Sequence, residues 1–238
     1  LKDSLGHKIK TKLTDKGVEF VEFIDISQLS DEQNKGYPNA LLFGISLSTA
    51  YLLKVSKTPD YVKKMKRDNI ASEDEFNLKE LKTDSLADYI ADYLLSLGYS
   101  AYSQSEKNVS STGFYNEANK STPLPHKTIA GLAGLGWIGK HNLLVTPEYG
   151  SAISMCTVLT DAPLETVTYS FTSSKCGDCK ICQDICQIKA IKGKSWRFGV
   201  PRDEIVDVTL CNTCLKCMVL CPWTQKYMIK EINKLKRL

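Results

Sequence analysis

Leu1, Leu5, Ile9 and Leu13 recur every four residues with lysines on the other side, which predicts a first helix that stops at Gly17. Val18–Ile24 is rich in β-branched and aromatic residues and reads as a strand. Residues 27–38 are polar and loop-like, and Asn39–Leu47 is an apolar run with the length of a buried strand. Ser72-Glu73-Asp74-Glu75 has the form of a capping box. It precedes a long helix ending before Gly98, whose predicted core stripe is Leu78, Leu81, Leu86, Ile90, Leu94 and Leu95. Tyr99–Ser103 follows as a strand. Residues 103–125 are polar and aperiodic, the mark of a functional or disordered loop. Pro125 suits the first turn of a helix running to about Gly134, after which Leu143–Val145 and Ala152–Leu159 read as strands. Trp223–Leu238 reads as an amphipathic helix with Met228, Ile232 and Leu235 on its apolar side. Its basic stripe is Lys226, Lys230, Lys234 and Arg237, a solvated face or a dock for an acidic electron donor or RNA. The pattern predicts an α/β (α+β) core over residues 1–170, a cysteine-rich module over 171–225 and a basic C-terminal helix over 226–238.

Eight of the nine cysteines fall in that module, and they repeat one spacing twice. Cys176, Cys179, Cys182 and Cys186 form C-x2-C-x2-C-x3-C, as do Cys211, Cys214, Cys217 and Cys221, the last followed by Pro222. Thiolates at this spacing converge on a cubane, and the fourth cysteine of each run ligates the other cluster. The expected sets are therefore Cys176, Cys179, Cys182 and Cys221 on one [4Fe-4S] cluster, and Cys211, Cys214, Cys217 and Cys186 on the second. A zinc site needs two C-x2-C pairs and leaves the remaining cysteines without a purpose. A disulfide framework needs an oxidising compartment. The ninth cysteine, Cys156, sits among apolar residues of a predicted strand and reads as a buried, inert thiol. The stretch between the runs includes Lys192-Gly-Lys-Ser-Trp196-Arg-Phe198. Its basic residues beside aromatics suit base stacking, a lid or a plain solvated loop.

Composition narrows the class. The chain has 238 residues, 42% of them hydrophobic, enough for a core, and a net charge of +4 that by itself calls for no nucleic acid. No apolar run reaches the length of about eighteen residues that spans a membrane, and the first residues show neither a secretory leader pattern nor a twin-arginine pair. Iron-bound thiolates place the protein, as an expectation, in a reducing cytoplasm and suit an anaerobe.

Gly134-Leu-Gly136-Trp137-Ile138-Gly139 matches G-x-G-x-x-G, but a dinucleotide fold needs that pattern between a strand and a helix. Here a helix precedes it and a strand follows. A glycine helix stop, or a loop where backbone closely approaches a bulky ligand beside an exposed Trp137, are the other readings. Taken together, Ala133–Lys140, Leu143–Val145, Gly150-Ser151, Val158–Asp161 and the double cysteine run closing on Cys221-Pro222-Trp223 resemble the epoxyqueuosine reductase family. Reductive dehalogenases are more distant relatives.

The resemblance implies a nitroreductase-like core with a bacterial-ferredoxin-like double-cluster module. Many family members carry a C-terminal helical-repeat extension that helps grip tRNA, and the resemblance implies a short form without it, as an expectation. It implies a cobalamin-dependent reductase fed by a ferredoxin or flavodoxin-type donor, with cobalamin contacts on Gly136, Trp137, Ile138, Gly139 and Lys140. The family's proton-donor aspartate falls at or near Lys120, and Ser121–His126 holds no carboxylate, so Lys120, His126 or Tyr115 stands in as donor. The same departures leave the substrate unassigned, with epoxyqueuosine on tRNA one candidate among others. The alternative is an electron-transfer protein serving a partner enzyme; an RNA-binding module with structural clusters is a third reading.

Overall fold

The computed structural model describes residues 4–197 and 199–237; Leu1, Phe198 and Leu238 of the predicted elements lie outside them. In chain order the elements are α1 (Leu5–Thr14), β1 (Phe20–Asp25), α2 (Asp31–Asn34), β2 (Asn39–Ser46), α3 (Thr49–Lys57), α4 (Tyr61–Arg67), α5 (Glu75–Ser96), β3 (Ala101–Ser103) and α6 (Glu106–Ser111). Then come α7 (His126–Leu132), β4 (Trp137–Ile138), β5 (Leu144–Val145), β6 (Ile153–Thr160), α8 (Ile181–Asp184), α9 (Lys216–Val219) and α10 (Pro222–Leu235). The chain divides into two compact units: Leu1–Ile45, Lys79–Gly134 and Ser154–Ser170 make the first, and Ser46–Leu78, Leu135–Ile153 and Phe171–Leu238 the second. No helix among the described residues is long and apolar enough to cross a membrane.

The first unit is built on a four-stranded sheet of order β1-β2-β6-β3. β1 and β2 pair antiparallel from Phe20↔Gly44 to Asp25↔Asn39, and β3 pairs antiparallel with β6 from Ala101↔Thr160 to Ser103↔Val158. Gly44 is required there, because a Cβ would stand 2.4 Å from the Phe20 ring. β2 is buried over nearly its whole length, as its unbroken apolar run predicts. Ile9 and Leu13 of α1 and Leu86, Ala87, Ile90, Ala91 and Leu94 of α5 share one core with Phe43, Cys156 and Val158. The sequence stripe on α5 is corrected: Leu78, Leu81 and Leu95 are exposed. At 100° per residue they fall off the face that Thr83, Leu86, Ile90 and Leu94 present to the core. Ser72 caps nothing on α5; it lies in a 3₁₀ turn, and Asp74 supplies the carbonyl for the first helical bond, with Leu78 N–H as donor at 2.9 Å. The polar stretch after Ser103 is also ordered. Ser105 caps α6 through its hydroxyl, which accepts from the Asn108 amide, and Asn116 and Ser121 close a small backbone bridge.

Lys35, at the end of α2, carries a pH-dependent liability of this unit. Its ammonium lies over the ring of Phe114, 2.6 Å from the centroid, where it is shielded from water and has no hydrogen-bond partner. Desolvation depresses its pKa from 10.5 to about 8, only partly offset by the ring faces. The unfolded chain therefore holds this proton more tightly, so the destabilisation is full below pH 8 and disappears as pH rises through 10.5. Lys35→Met keeps the stem packed and removes the charge. Thermal unfolding should show it more stable than the parent at pH 7, with the gap closing by about pH 10.5.

In the second unit, α3, α9 and α10 pack around Leu47, Tyr51, Leu52, Val55, Met218, Val219, Tyr227 and Met228. Tyr51 and Tyr61 both donate to the buried Asp74 carboxylate, at 2.5 and 2.7 Å, which ties α3 and α4 to the start of α5. Ser46 and Tyr227 hydroxyls meet at 2.9 Å. On α10 the buried face is Thr224, Tyr227 and Met228, and Leu235 is 66% exposed, so the predicted apolar side ends a turn early.

Candidate functional site

The segment with the glycine pattern is a helix stop followed by a β-hairpin. Gly134 takes φ +69 just past α7, the left-handed conformation that ends helices. β4 and β5 then pair as Trp137↔Val145 and Ile138↔Leu144. The turn between them is closed by the Gly139 amide donating to the Leu143 carbonyl at 2.9 Å, with Asn142 at φ +64. Glycine is required at 136 and 139 by this chain's own approach. A Cβ at Gly136 would stand 2.0 Å from the Val145 carbonyl oxygen, and one at Gly139 2.8 Å from the His141 ring. No helix N-terminus follows the pattern, so it is no phosphate loop.

The hairpin's side chains turn inward. Trp137 is 1% exposed, not the exposed ring expected from the sequence, and Ile138 and Lys140 are buried too. Trp137 meets Trp223 edge to face at 4.8 Å between centroids, and the Lys175 ammonium lies 5.5 Å from its ring centre. Trp223 follows Cys221 by two residues and Lys175 precedes Cys176, so the indole is wedged between the flanks of two cysteines. Its Nε1–H is buried with no acceptor among the protein atoms. The Lys140 ammonium donates to the Gly177 carbonyl at 2.7 Å and the Cys179 carbonyl at 3.1 Å. It thereby holds the first cysteine loop from across the hairpin. His141 Nδ1 accepts from the Leu143 amide at 3.2 Å and its Nε2 meets the Ser151 hydroxyl at 3.3 Å, a packing role.

The eight cysteines of the two runs lie close enough to act on one another's thiols. Burial pushes the Cys182 thiol up to about 11, and Cys176, Cys221 and Cys179 push it further in the same direction. Burial likewise raises Cys221, with Cys176 and Cys179 again as neighbours. Cys217 is pushed up to about 12 by burial, then by Cys214, Cys211, Cys182 and Cys186. Cys176, Cys221 and Cys179 thus act on Cys182, and Cys214, Cys211, Cys182 and Cys186 act on Cys217, so the two cysteine runs lie beside each other.

The backbone of the loops suits a negatively charged guest. Gly177 takes φ +47, and Thr213 and Leu215, on either side of Cys214, take φ +57 and +62. Left-handed residues without the freedom of glycine store about 1 kcal/mol or more each, and alternation with right-handed neighbours turns successive N–H groups inward, the nest that receives Fe–S clusters. Together with the unpartnered Trp137 N–H, this donor set fits a cluster in each group. Among the described residues no three His, Cys, Asp or Glu side chains close on a single ion. A cubane takes its thiolates at its corners, wider apart than the shell of one ion.

The second loop is anchored by a lysine that the sequence reading passed over. Lys216 donates to the Val55, Ser56 and Thr58 carbonyls at 2.7, 3.1 and 3.0 Å, using all three ammonium protons on the C-terminal turn of α3. A lysine between Cys214 and Cys217 was the available signal. The loop from 187 to 210 is pinned by an Ile191–Val206 bridge, and Trp196 packs on Phe171 at 5.2 Å between centroids.

The three candidate proton donors sit in the first unit. Tyr115 is half-buried, and Lys120 is exposed at φ +50 within the turn that Asn116 and Ser121 close. The His126 Nδ1 lies 2.9 Å from the Thr157 hydroxyl, and desolvation lowers its pKa to about 4, so it is a neutral imidazole at pH 7. Cys156 is buried, its thiol donating to Asp84 at 3.5 Å, with its pKa well above the usual range through desolvation.

No protein-family model matches the chain. The epoxyqueuosine reductase of Pseudomonas aeruginosa is 30% identical over 121 residues, which make up 44% of this chain and 33% of that enzyme. The chain thus spans about a third of the curated relatives it matches. A reductive dehalogenase, solved in work on B12-dependent dehalogenation, shares the fold with a TM-score of 0.66 at 20% identity, over 97% of this chain and 34% of that one. An epoxyqueuosine reductase solved with an epoxyqueuosine-modified tRNA stem loop superposes with a TM-score of 0.54 at 14% identity, over 93% of this chain and 65% of that one. A mixed α/β fold shared along nearly the whole chain and a recognisable sequence over part of it lead to one conclusion: this is an epoxyqueuosine-reductase-like protein.

Proposed function

We propose that the chain is an iron–sulfur reductase in which two [4Fe-4S] clusters relay electrons through the second unit. The carrying observation is the spacing C-x2-C-x2-C-x3-C occurring twice, in Cys176–Cys186 and Cys211–Cys221, on two loops that lie beside each other. When bound, the clusters supply one-electron steps. This chain's own residues position the loops that carry the thiolates: Lys140 fixes the first, Lys216 fixes the second, and the buried Trp137 keeps an N–H with no acceptor among the protein atoms. The second unit would then be the ferredoxin-like module, with the hairpin and the α3–α4 segment as its scaffold.

Cobalamin is the acceptor that the family resemblance suggests. Of the residues expected to hold it, Gly136 and Gly139 pack against Val145 and His141, and the Trp137, Ile138 and Lys140 side chains are buried, so this hairpin would meet it through backbone. The same inward hairpin favours the second reading, an electron-transfer protein that serves a partner enzyme.

Anaerobic reconstitution with iron and sulfide tests the relay, with about eight irons per chain and cluster EPR signals expected on reduction. Failure to take up iron would remove the reading. Adding cob(II)alamin to the loaded protein separates the two forms of it. A base-off cobalt signal that arises only with protein makes the chain a corrinoid reductase, and an unchanged cobalt spectrum makes it an electron carrier.

A further inference from the structure

One of the two cysteine groups opens to solvent, and the surroundings of that opening are basic. Cys182 and Cys221 of the first group are buried, whereas Cys211 of the second is exposed. Cys214 lines a cleft of about 620 Å³, together with Lys57, Lys63, Lys66 and Ile188. Between Lys54 and Arg67 the chain carries six cations against one carboxylate, Asp60, which also lines the cleft. Arg67 is engaged by Asp68, and the Lys216 ammonium is spent on three carbonyls, but the side chains of Lys57, Lys63 and Lys66 stand in water. They are also held in place. Asp74 binds Tyr61 at the start of α4, and Lys216 ties the end of α3 to the loop that bears Cys214.

We propose that this lysine-lined cleft is where an acidic one-electron carrier protein docks to reduce the second cluster. The proposal rests on the two-cluster reading and adds the entry point. A field of one sign around an opening raises the encounter rate of a partner of the other sign and orients it, with little demand on buried area. Ile188, 36% exposed, supplies an apolar contact at the centre of the charged rim. The step is an electron transfer alone: the carrier loses one electron, the cluster gains it, and no bond or proton changes place. Electrons would enter at the exposed group and pass to the buried one beside it, because Cys217 and Cys182 are neighbours.

The test follows bleaching of the cluster absorbance in stopped flow on the full, reconstituted chain, with either reduced flavodoxin, an acidic carrier, or dithionite as reductant. In the Lys57→Glu, Lys63→Glu, Lys66→Glu variant the flavodoxin-driven rate should fall at least about tenfold at low salt and lose its salt dependence. Iron content and the dithionite-driven rate should stay as in the parent. The triple arginine variant at the same positions should keep the parent rate, which separates charge from any effect on folding. Equal flavodoxin rates in the glutamate variant and the parent would overturn the docking face while leaving the clusters in place. A parent chain that takes up no iron would instead overturn the two-cluster reading beneath it.

Discussion

Replacing Cys182 and Cys221 together by serine should leave the chain with about four irons, whereas replacing Cys182 and Cys211 together should leave almost none. The first pair removes two ligands from one cluster and spares the other. The second pair removes one ligand from each. The two variants carry the same number of lost thiols, so the difference reads only the grouping. It follows from the spacing rule by which the fourth cysteine of each run ligates the other cluster, and Cys221 lies with Cys176 and Cys179 as that rule requires. If each run of four instead served its own cluster, the outcome would reverse for the first variant: Cys182 and Cys221 would then belong to different clusters and both would be lost. Iron and sulfide analysis with cluster EPR decides between them. Both variants retain Lys140 and Lys216, so the loops keep their anchors.

The second large effect is steric. Gly150→Ala should destabilise the chain by about 3 kcal/mol or more, because the added methyl meets backbone that cannot yield. Its Cβ would stand 2.3 Å from the Thr224 amide nitrogen and 2.5 Å from Thr224 Cα, at a position already at φ +58. The Ser151 amide donates to the Thr224 hydroxyl at 3.0 Å, so displacement there moves the first turn of α10. Cys221, the residue that caps that helix, moves with it. Gly36→Ala is the control: φ is +78, yet nothing lies within 4 Å of the added Cβ, so only the left-handed strain of about 1–2 kcal/mol applies. Urea unfolding should rank the two, and only Gly150→Ala should also lower the iron held by the first cluster. Equal losses in both variants would mean that backbone conformation, and not the contact with α10, accounts for the effect.

The cysteine spacing stands in the sequence itself, because three ligands of one cluster would have to be near neighbours on a short stretch of chain. β2 was legible because a strand buried on both faces is an apolar run, and β6 because its apolar residues are interrupted only by small hydroxyl side chains. Other features depend on partners far away in sequence. Leu78, Leu81 and Leu95 keep a helical period in the chain, but only packing decides which face of α5 is buried. The glycines at 136 and 139 look like a ligand loop until Val145 is seen to fill the space beside them. Trp137 lies in a short motif with a lysine, which suggests exposure, and is instead enclosed by Trp223 and Lys175. The lysines of α3 and α4 follow no motif in the sequence, and acquire meaning only where the cleft brings Cys214 among them.

Lys216 makes one further property of the second unit unavoidable. A single ammonium closes the C-terminal turn of α3 and fixes the backbone between Cys214 and Cys217. Helix and ligand loop therefore behave as one mechanical part, and a load placed on α3 is felt at the thiolates without passing through any other side chain. Acylation of that one amine would unseat three carbonyls and leave them without a cation at the negative end of the helix. That one modification would loosen the end of α3 and the loop from Cys214 to Cys217 together.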